Sequence, residues 1–125
     1  GWSYAARELA IALSENDQKD EAVVVLEQAI ARAPLDPVNH AELAEHLWKN
    51  QEADAALDRL RVALMLDPGF DWAWRHLNMW ADTSDQPERA VEVARAVARN
   101  RPGDPRAWVA LSRFLHRPEY AEEAI

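Results

Sequence analysis

The sequence predicts an all-α chain of about three and a half helix-turn-helix repeats stacked as an α-solenoid, with residues 1–125 as one domain. Three observations carry that prediction. First, Pro34, Pro68 and Pro102 recur at a spacing of 34 residues. Second, the same offset aligns many other positions without a gap. Leu9, Leu43, Leu77 and Leu111 form one column, Ala22, Ala56, Ala90 and Ala124 a second, and Leu13, Leu47, Ala81 and Leu115 a third. Third, apolar residues inside each period follow helical rather than strand spacing, and no segment alternates with a period of two. A fixed period of this length is the signature of stacked supersecondary units.

Each period divides into two helices. The repeats run over about 3–36, 37–70, 71–104 and an incomplete 105–125. First helices are expected at about 3–15, 37–49, 71–83 and 105–116, and second helices at about 18–33, 52–66, 87–101 and from 118 onward. Leu43 and Leu47 stand four apart on one face of a first helix. Ala56, Leu60, Ala63 and Leu64 make the apolar stripe of a second helix. Asp36-Pro37 and Asp104-Pro105 read as an N-cap followed by proline at the first helical position. Asp71 is expected to cap the helix that continues with Trp72, and Ser84 or Asp85 the helix that Pro87 opens. Asn16 and Asn50 fall in the short turns between paired helices. The alanine columns mark where neighbouring helices approach closely. One such hairpin cannot bury its apolar face alone, so stacking must complete the core.

Composition narrows the function. The chain has no cysteine, which excludes disulfides, thiolate catalysis and cysteine-based zinc sites. That leaves the compartment open, with the cytoplasm favoured. The net charge of -8 argues against nucleic-acid binding. No apolar run approaches the roughly 20 residues that span a bilayer, so no membrane role is expected. Catalytic motifs are missing too. There is no phosphate loop, since the glycines are only Gly1, Gly69 and Gly103, and no nucleophile elbow. Glu42 and His46 lie four apart, but two ligands do not make a metal site, and a solvated pair is expected. His40, His76 and His116 have no neighbours at ligand spacing. No cofactor, no metal and no enzymatic activity are expected. Twelve Arg against two Lys, with abundant Ala, points to a GC-rich bacterial source.

The period and its columns resemble the tetratricopeptide repeat, whose pattern is Trp-x2-Leu-Gly-x2-Tyr, then Ala-x3-Phe-x2-Ala, then Pro. Here the first part reads Trp74-x2-Leu77-Asn78-x2-Ala81 and Trp108-x2-Leu111-Ser112-x2-Leu115. The second reads Ala22-x3-Leu26-x2-Ala29 with Pro34, and Ala56-x3-Leu60-x2-Ala63 with Pro68. The resemblance covers residues 3–125. Gly is replaced by Ala, Asn or Ser, and Tyr by Leu or Ala, but the alternation of small and large side chains survives. A single Trp72-x2-Arg75 after Pro68 is similar to the helical repeat of protein prenyltransferase α subunits, and it occurs only once.

The resemblance implies a right-handed solenoid whose first helices line a concave groove, where a peptide or protein segment lies. It implies that the second, fifth, ninth and twelfth places of each repeat face that groove. These are Tyr4, Arg7, Ile11 and Ser14; Val38, Ala41, Glu45 and Trp48; Trp72, Arg75, Met79 and Asp82; and Arg106, Val109, Arg113 and His116. Trp, Tyr and Arg are enriched at binding hot spots. Trp48, Trp72 and Met79 beside Arg75 would suit a peptide with an apolar anchor and a carboxylate. Packing against an adjoining repeat is the other reading of Trp48 and Trp72. Trp74 and Trp108 fall in the family's core column and are expected to pack.

Charge has a direction along the chain. The last first helix carries Arg106, Arg113 and Arg117 beside Asp104, whereas the three earlier ones are net negative. An acidic group of a partner is therefore expected near Arg75, Arg106 and Arg113, unless those arginines pair with acids of neighbouring repeats. Family members that clamp a chaperone's C-terminal carboxylate use Lys and Asn at fixed groove places. That Asn pattern is missing here, so chaperone-tail binding is not expected. The expected role is a protein-interaction scaffold. The alternatives are a recruiting arm of a larger enzyme, such as a bacterial glycosyltransferase or sulfotransferase, and a self-assembly module pairing through Leu111, Leu115 and Ile125 of the unfinished last hairpin. That hairpin also predicts that the chain is part of a longer protein.

Overall fold

The computed structural model describes residues 2–115, with side chains from 4 to 113. The second helix predicted from 118, together with His116, Arg117, Ala124 and Ile125, lies outside the described residues. Seven α-helices and no strand are present among the described residues. Contacts divide the chain between Leu66 and Asp67 into two units. The first holds α1 (Trp2–Glu15), α2 (Lys19–Arg32), α3 (Pro37–Lys49) and α4 (Ala53–Leu66). The second holds α5 (Asp71–Thr83), α6 (Pro87–Asn100) and α7 (Pro105–Leu115). These bounds follow the predicted pairs closely, because both kinds of break repeat with the period.

The turn inside each of the three described hairpins is a Schellman motif. Gln18, Glu52 and Gln86 donate their backbone N–H to the carbonyls of Leu13, Leu47 and Ala81 at 2.8, 2.9 and 2.7 Å. The residues just before them are Asp17, Gln51 and Asp85, with φ of 63°, 65° and 59°. They too are 34 apart, a left-handed column that carries no glycine. The motif also corrects a cap assignment. α6 is capped by Gln86, not Ser84 or Asp85, and Gln86 makes no side-chain cap bond. Ser84 instead ends α5, and its Oγ donates to the Trp80 carbonyl at 2.8 Å.

The turn between hairpins explains the prolines. The N–H groups of Asp36, Phe70 and Asp104 donate to the carbonyls of Ala33, Asp67 and Arg101 at 3.2, 3.1 and 3.0 Å. Each proline occupies the second place of that four-residue turn, where its locked φ is already correct. Asp36 and Asp104 cap as expected, their Oδ1 accepting from the N–H of Val38 and Arg106 at 3.0 and 2.9 Å. Asp71 does not cap. The helix already includes it, and the cap residue is Phe70. In that turn the carboxylate partner of a backbone N–H is Asp67, which accepts from Gly69 at 3.0 Å.

The alanine columns close each hairpin. Ala22, Ala56 and Ala90 have no exposed surface, and neither do Leu26, Leu60 and Ala94. The leucine column behaves differently at its first member. Leu43, Leu77 and Leu111 are buried, but Leu9 is 50% exposed. In the described chain no second helix lies before α1 to cover that side.

A left-handed backbone costs a long unbranched side chain about 1 kcal/mol or more, and glycine escapes that cost. Gln51 is exposed, so Gln51→Gly should raise stability by about 0.5–1 kcal/mol. Gln51→Val should lower it. Urea unfolding followed by circular dichroism reads both as shifts of the midpoint with unchanged slope.

Candidate functional site

The proline turns carry a second repeated contact. The Trp74 Nε1–H donates to the Pro68 carbonyl at 2.8 Å, and the Trp108 Nε1–H to the Pro102 carbonyl at 3.0 Å. His40 takes the same column in the second repeat, and its Nε2 lies 3.0 Å from the Pro34 carbonyl. A carbonyl only accepts, so Nε2 carries the proton, and Nδ1 is left to accept from Arg59 Nη1 at 3.3 Å. His40 is thus a structural histidine, legible in retrospect from its alignment with Trp74 and Trp108. Trp74 is buried as expected, whereas Trp108 is 47% exposed.

In the first unit, several expected groove residues are engaged. Arg7 is half-buried, and its Nη1 donates to Asn39 Oδ1 at 3.0 Å and lies 3.9 Å from Asp36. Asn39 is fully buried, and its Nδ2 donates to the Ala29 carbonyl at 3.4 Å. Arg7 and Asn39 therefore tie α1, α2 and α3 together, a role that nothing in the spacing announced. Ala41 is buried. Glu45 is half-buried and pairs with Lys49 at 3.5 Å, and Trp48 is half-buried. Tyr4, Ile11 and Val38 remain exposed.

Glu42 and His46 are not the solvated pair expected. His46 is buried, and loss of water around it pushes its pKa down. Glu42 is half-buried; desolvation first, then repulsion from Glu45, raises its pKa. No group of three metal-ligating side chains occurs among the described residues. No helix among them is long and apolar enough to cross a membrane.

In the second unit, Trp72 packs along its own helix. Its ring stacks on His76 at 3.9 Å and 21°, and meets the edge of Trp80 at 6.1 Å. His76 Nδ1 donates to the Trp72 carbonyl at 2.8 Å, which holds the stack. Trp72 is half-buried, while Met79 is 50% exposed. Arg75 is exposed and bonds Asp71 at 2.9 Å.

An open cleft of about 290 Å³ lies between α5, α7 and the turn that leads into α5. Trp74, Val109 and Ala110 give it apolar walls, and Asp71, Arg106 and Arg113 stand around it. Three of these, Arg106, Val109 and Arg113, are expected groove positions of the fourth repeat. Arg106 is held on two sides. Its Nη2 and Nε reach Asp104 at 2.7 and 3.0 Å, and its Nη1 lies 3.7 Å from Asp67. The Asp104 carboxyl, which accepts from the Arg106 side chain and backbone, is lowered to about 2. Gly69 makes room for this arrangement, because a Cβ there would sit 2.6 Å from Arg106 Nη1. Arg113 is exposed and forms no ion pair among the described residues. The cleft therefore offers a guanidinium with no ion pair among the described residues, above an apolar floor.

No protein-family model matches this sequence, and no curated protein matches it either. Its fold is nevertheless shared with solved structures. A crystal structure of MamA superposes with a TM-score of 0.62 at 18% identity, covering 98% of this chain and 71% of that one. The tetratricopeptide-repeat domain of Sgt2 from Aspergillus fumigatus gives 0.65 at 17% identity, covering 97% and 82%. The first such domain of Spaghetti (RPAP3), solved bound to an HSP90 peptide, gives 0.65 at 16% identity, covering 90% and 92%. The fold is that of tetratricopeptide-repeat domains, an all-α stack of helical hairpins.

Two titrations test the electrostatics. Glu42 binds its proton more tightly folded than unfolded, so its ionisation removes stability as pH rises through the folded pKa. Glu42→Gln should therefore raise the melting temperature at pH 7, with the gain vanishing below pH 4.5, the ordinary value for Glu. Separately, the Asp104 carboxyl should titrate near pH 2 by NMR, and Arg106→Ala should move its midpoint up towards 3.8.

Proposed function

We propose that this chain is a non-catalytic interaction module that holds a peptide segment of another protein, with an apolar anchor and an acidic group received in the cleft of the second unit. The cleft itself carries the reading. Its walls, from Trp74, Val109 and Ala110, suit an aliphatic side chain, and Arg113 stands beside them with no ion pair among the described residues. Arginine meets carboxylates bidentately, and such bonds are stronger than neutral ones. Support comes also from the peptide found on the similar RPAP3 domain. The ion pair of Arg75 with Asp71 is solvent-exposed on both sides, so it contributes little and can exchange partners. Within the second unit Trp72 and Met79 extend the candidate surface; within the first unit Tyr4, Ile11, Glu45 and Trp48 are the candidate groove residues, and Arg7 serves them by fixing α1 on α3. The ligand differs from a chaperone tail, because the fifth and ninth places read Arg7, Ala41, Arg75, Val109 and Ile11, Glu45, Met79, Arg113 without the asparagines of that clamp.

Fluorescence anisotropy with labelled Leu-Asp-Leu-Glu peptides, as free acid and as amide, tests this. The free acid should bind, with an affinity that falls as salt rises. Arg113→Glu should weaken it about tenfold or more, near 1.4 kcal/mol, and Val109→Asp should weaken it similarly, both with unchanged helical circular dichroism. Equal binding by wild type and both variants, or no binding of either peptide, would remove the cleft from consideration.

A further inference from the structure

The repeats act as internal controls for one another, and one surface shared by the first and second repeats departs from the pattern. A furrow of about 420 Å³ runs over α3 between α2 and α4, with Leu43 and Leu47 as its floor. Its walls are second helices, and its floor residues on α3 are not the groove positions of that helix. The furrow exists because two side chains on its walls are small. Ala31 stands in the column of Met65 and Arg99, and Ala55 in the column of Arg89. Either of those longer side chains would lie across the opening.

Charge in the furrow is equally particular. Glu27 lines its wall at a place where the next two repeats carry Arg61 and Arg95. Glu27 is exposed and has no ion pair among the described residues. Arg59, on the opposite wall, is half-buried and donates inward to His40 Nδ1 at 3.3 Å. Just outside Glu27 on the same helix, Val24 is 51% exposed where the other repeats have Asp58 and Glu92. The surrounding unit has twelve Asp and Glu against six Lys and Arg, which is most of the chain's excess negative charge. An apolar floor with an open carboxylate on an acidic unit selects a ligand with an aliphatic side chain next to a cation. The volume falls in the range of roughly 300–1,000 Å³ typical of ligand sites.

We infer that the furrow between α2 and α4 is a second docking site, which takes a basic, amphipathic peptide segment of a partner protein through Leu43, Leu47 and Glu27. This site is separate from the cleft of the second unit, so either can fail without the other.

The probe is a fluorescein-labelled Leu-Lys-Leu-Leu-Lys-Leu peptide, with a Glu-for-Lys counterpart, titrated with the whole chain by anisotropy. The basic peptide should bind saturably, and the acidic one should not. The double substitution Ala31→Met/Ala55→Arg introduces residues that the sister repeats already accommodate, and it should weaken binding about tenfold or more. Glu27→Arg should weaken it several-fold and flatten its salt dependence, and decides the matter alone if the double variant does not fold by circular dichroism. Arg113→Glu should leave the basic peptide's affinity unchanged. The inference is overturned if neither peptide binds, if both bind equally, or if the filled furrow or Glu27→Arg binds like wild type. Sedimentation showing a dimer that the double variant abolishes would assign the furrow to a second copy of the chain and overturn it as well.

Discussion

The two-residue turn inside each hairpin, with Asp17, Gln51 or Asp85 in the left-handed region, governs where every other side chain of a repeat can go. A Schellman motif closes the first helix with two backbone bonds and delivers the next residue directly as the cap of the second. No slack is left in which the two helices could slide. Ala22, Ala56 and Ala90 therefore meet the first helices at the same height in each repeat, and each is wholly buried. A longer connection would let the register drift, and the alanines would then face larger neighbours.

The proline turn does the corresponding work between repeats. Its fourth residue donates back across the turn, and a ring from one turn further on donates to the proline's own carbonyl. That second bond satisfies the acceptor of Pro68, which is fully buried. Tryptophan does this in two repeats and histidine in one. The column is thus defined by an N–H at the right reach, not by a residue name. Its aromatic bulk then becomes part of the cleft wall at Trp74, so a structural contact and a ligand surface share one side chain.

Both candidate sites arise where a repeat departs from its sisters. The cleft of the second unit is edged by arginines that only the fourth repeat carries at the second and ninth places. The furrow of the first unit opens where Ala31 and Ala55 replace long side chains. Identical repeats would pack into uniform faces. Function in such a fold resides in the substitutions that the core tolerates, since they lie on surfaces that no neighbouring helix must match.

The helices, their order and the buried columns were legible in the sequence alone, because a period of 34 residues multiplies weak signals such as single prolines and alanines until they agree. The caps at Asp36 and Asp104 were legible for the same reason. Tertiary structure decided the rest. Arg7 is drawn into a part-buried bond with Asn39, 32 residues away, and no spacing rule reaches that far. His46 and Asn39 are buried although polar, because burial depends on what packs above them and not on their own periodicity. Arg106 is neutralised by Asp104 and Asp67 while Arg113 has no ion pair among the described residues, and only their positions in space separate two arginines that read alike. Period is a property of the chain, whereas pairing and exposure belong to the neighbours that folding brings together.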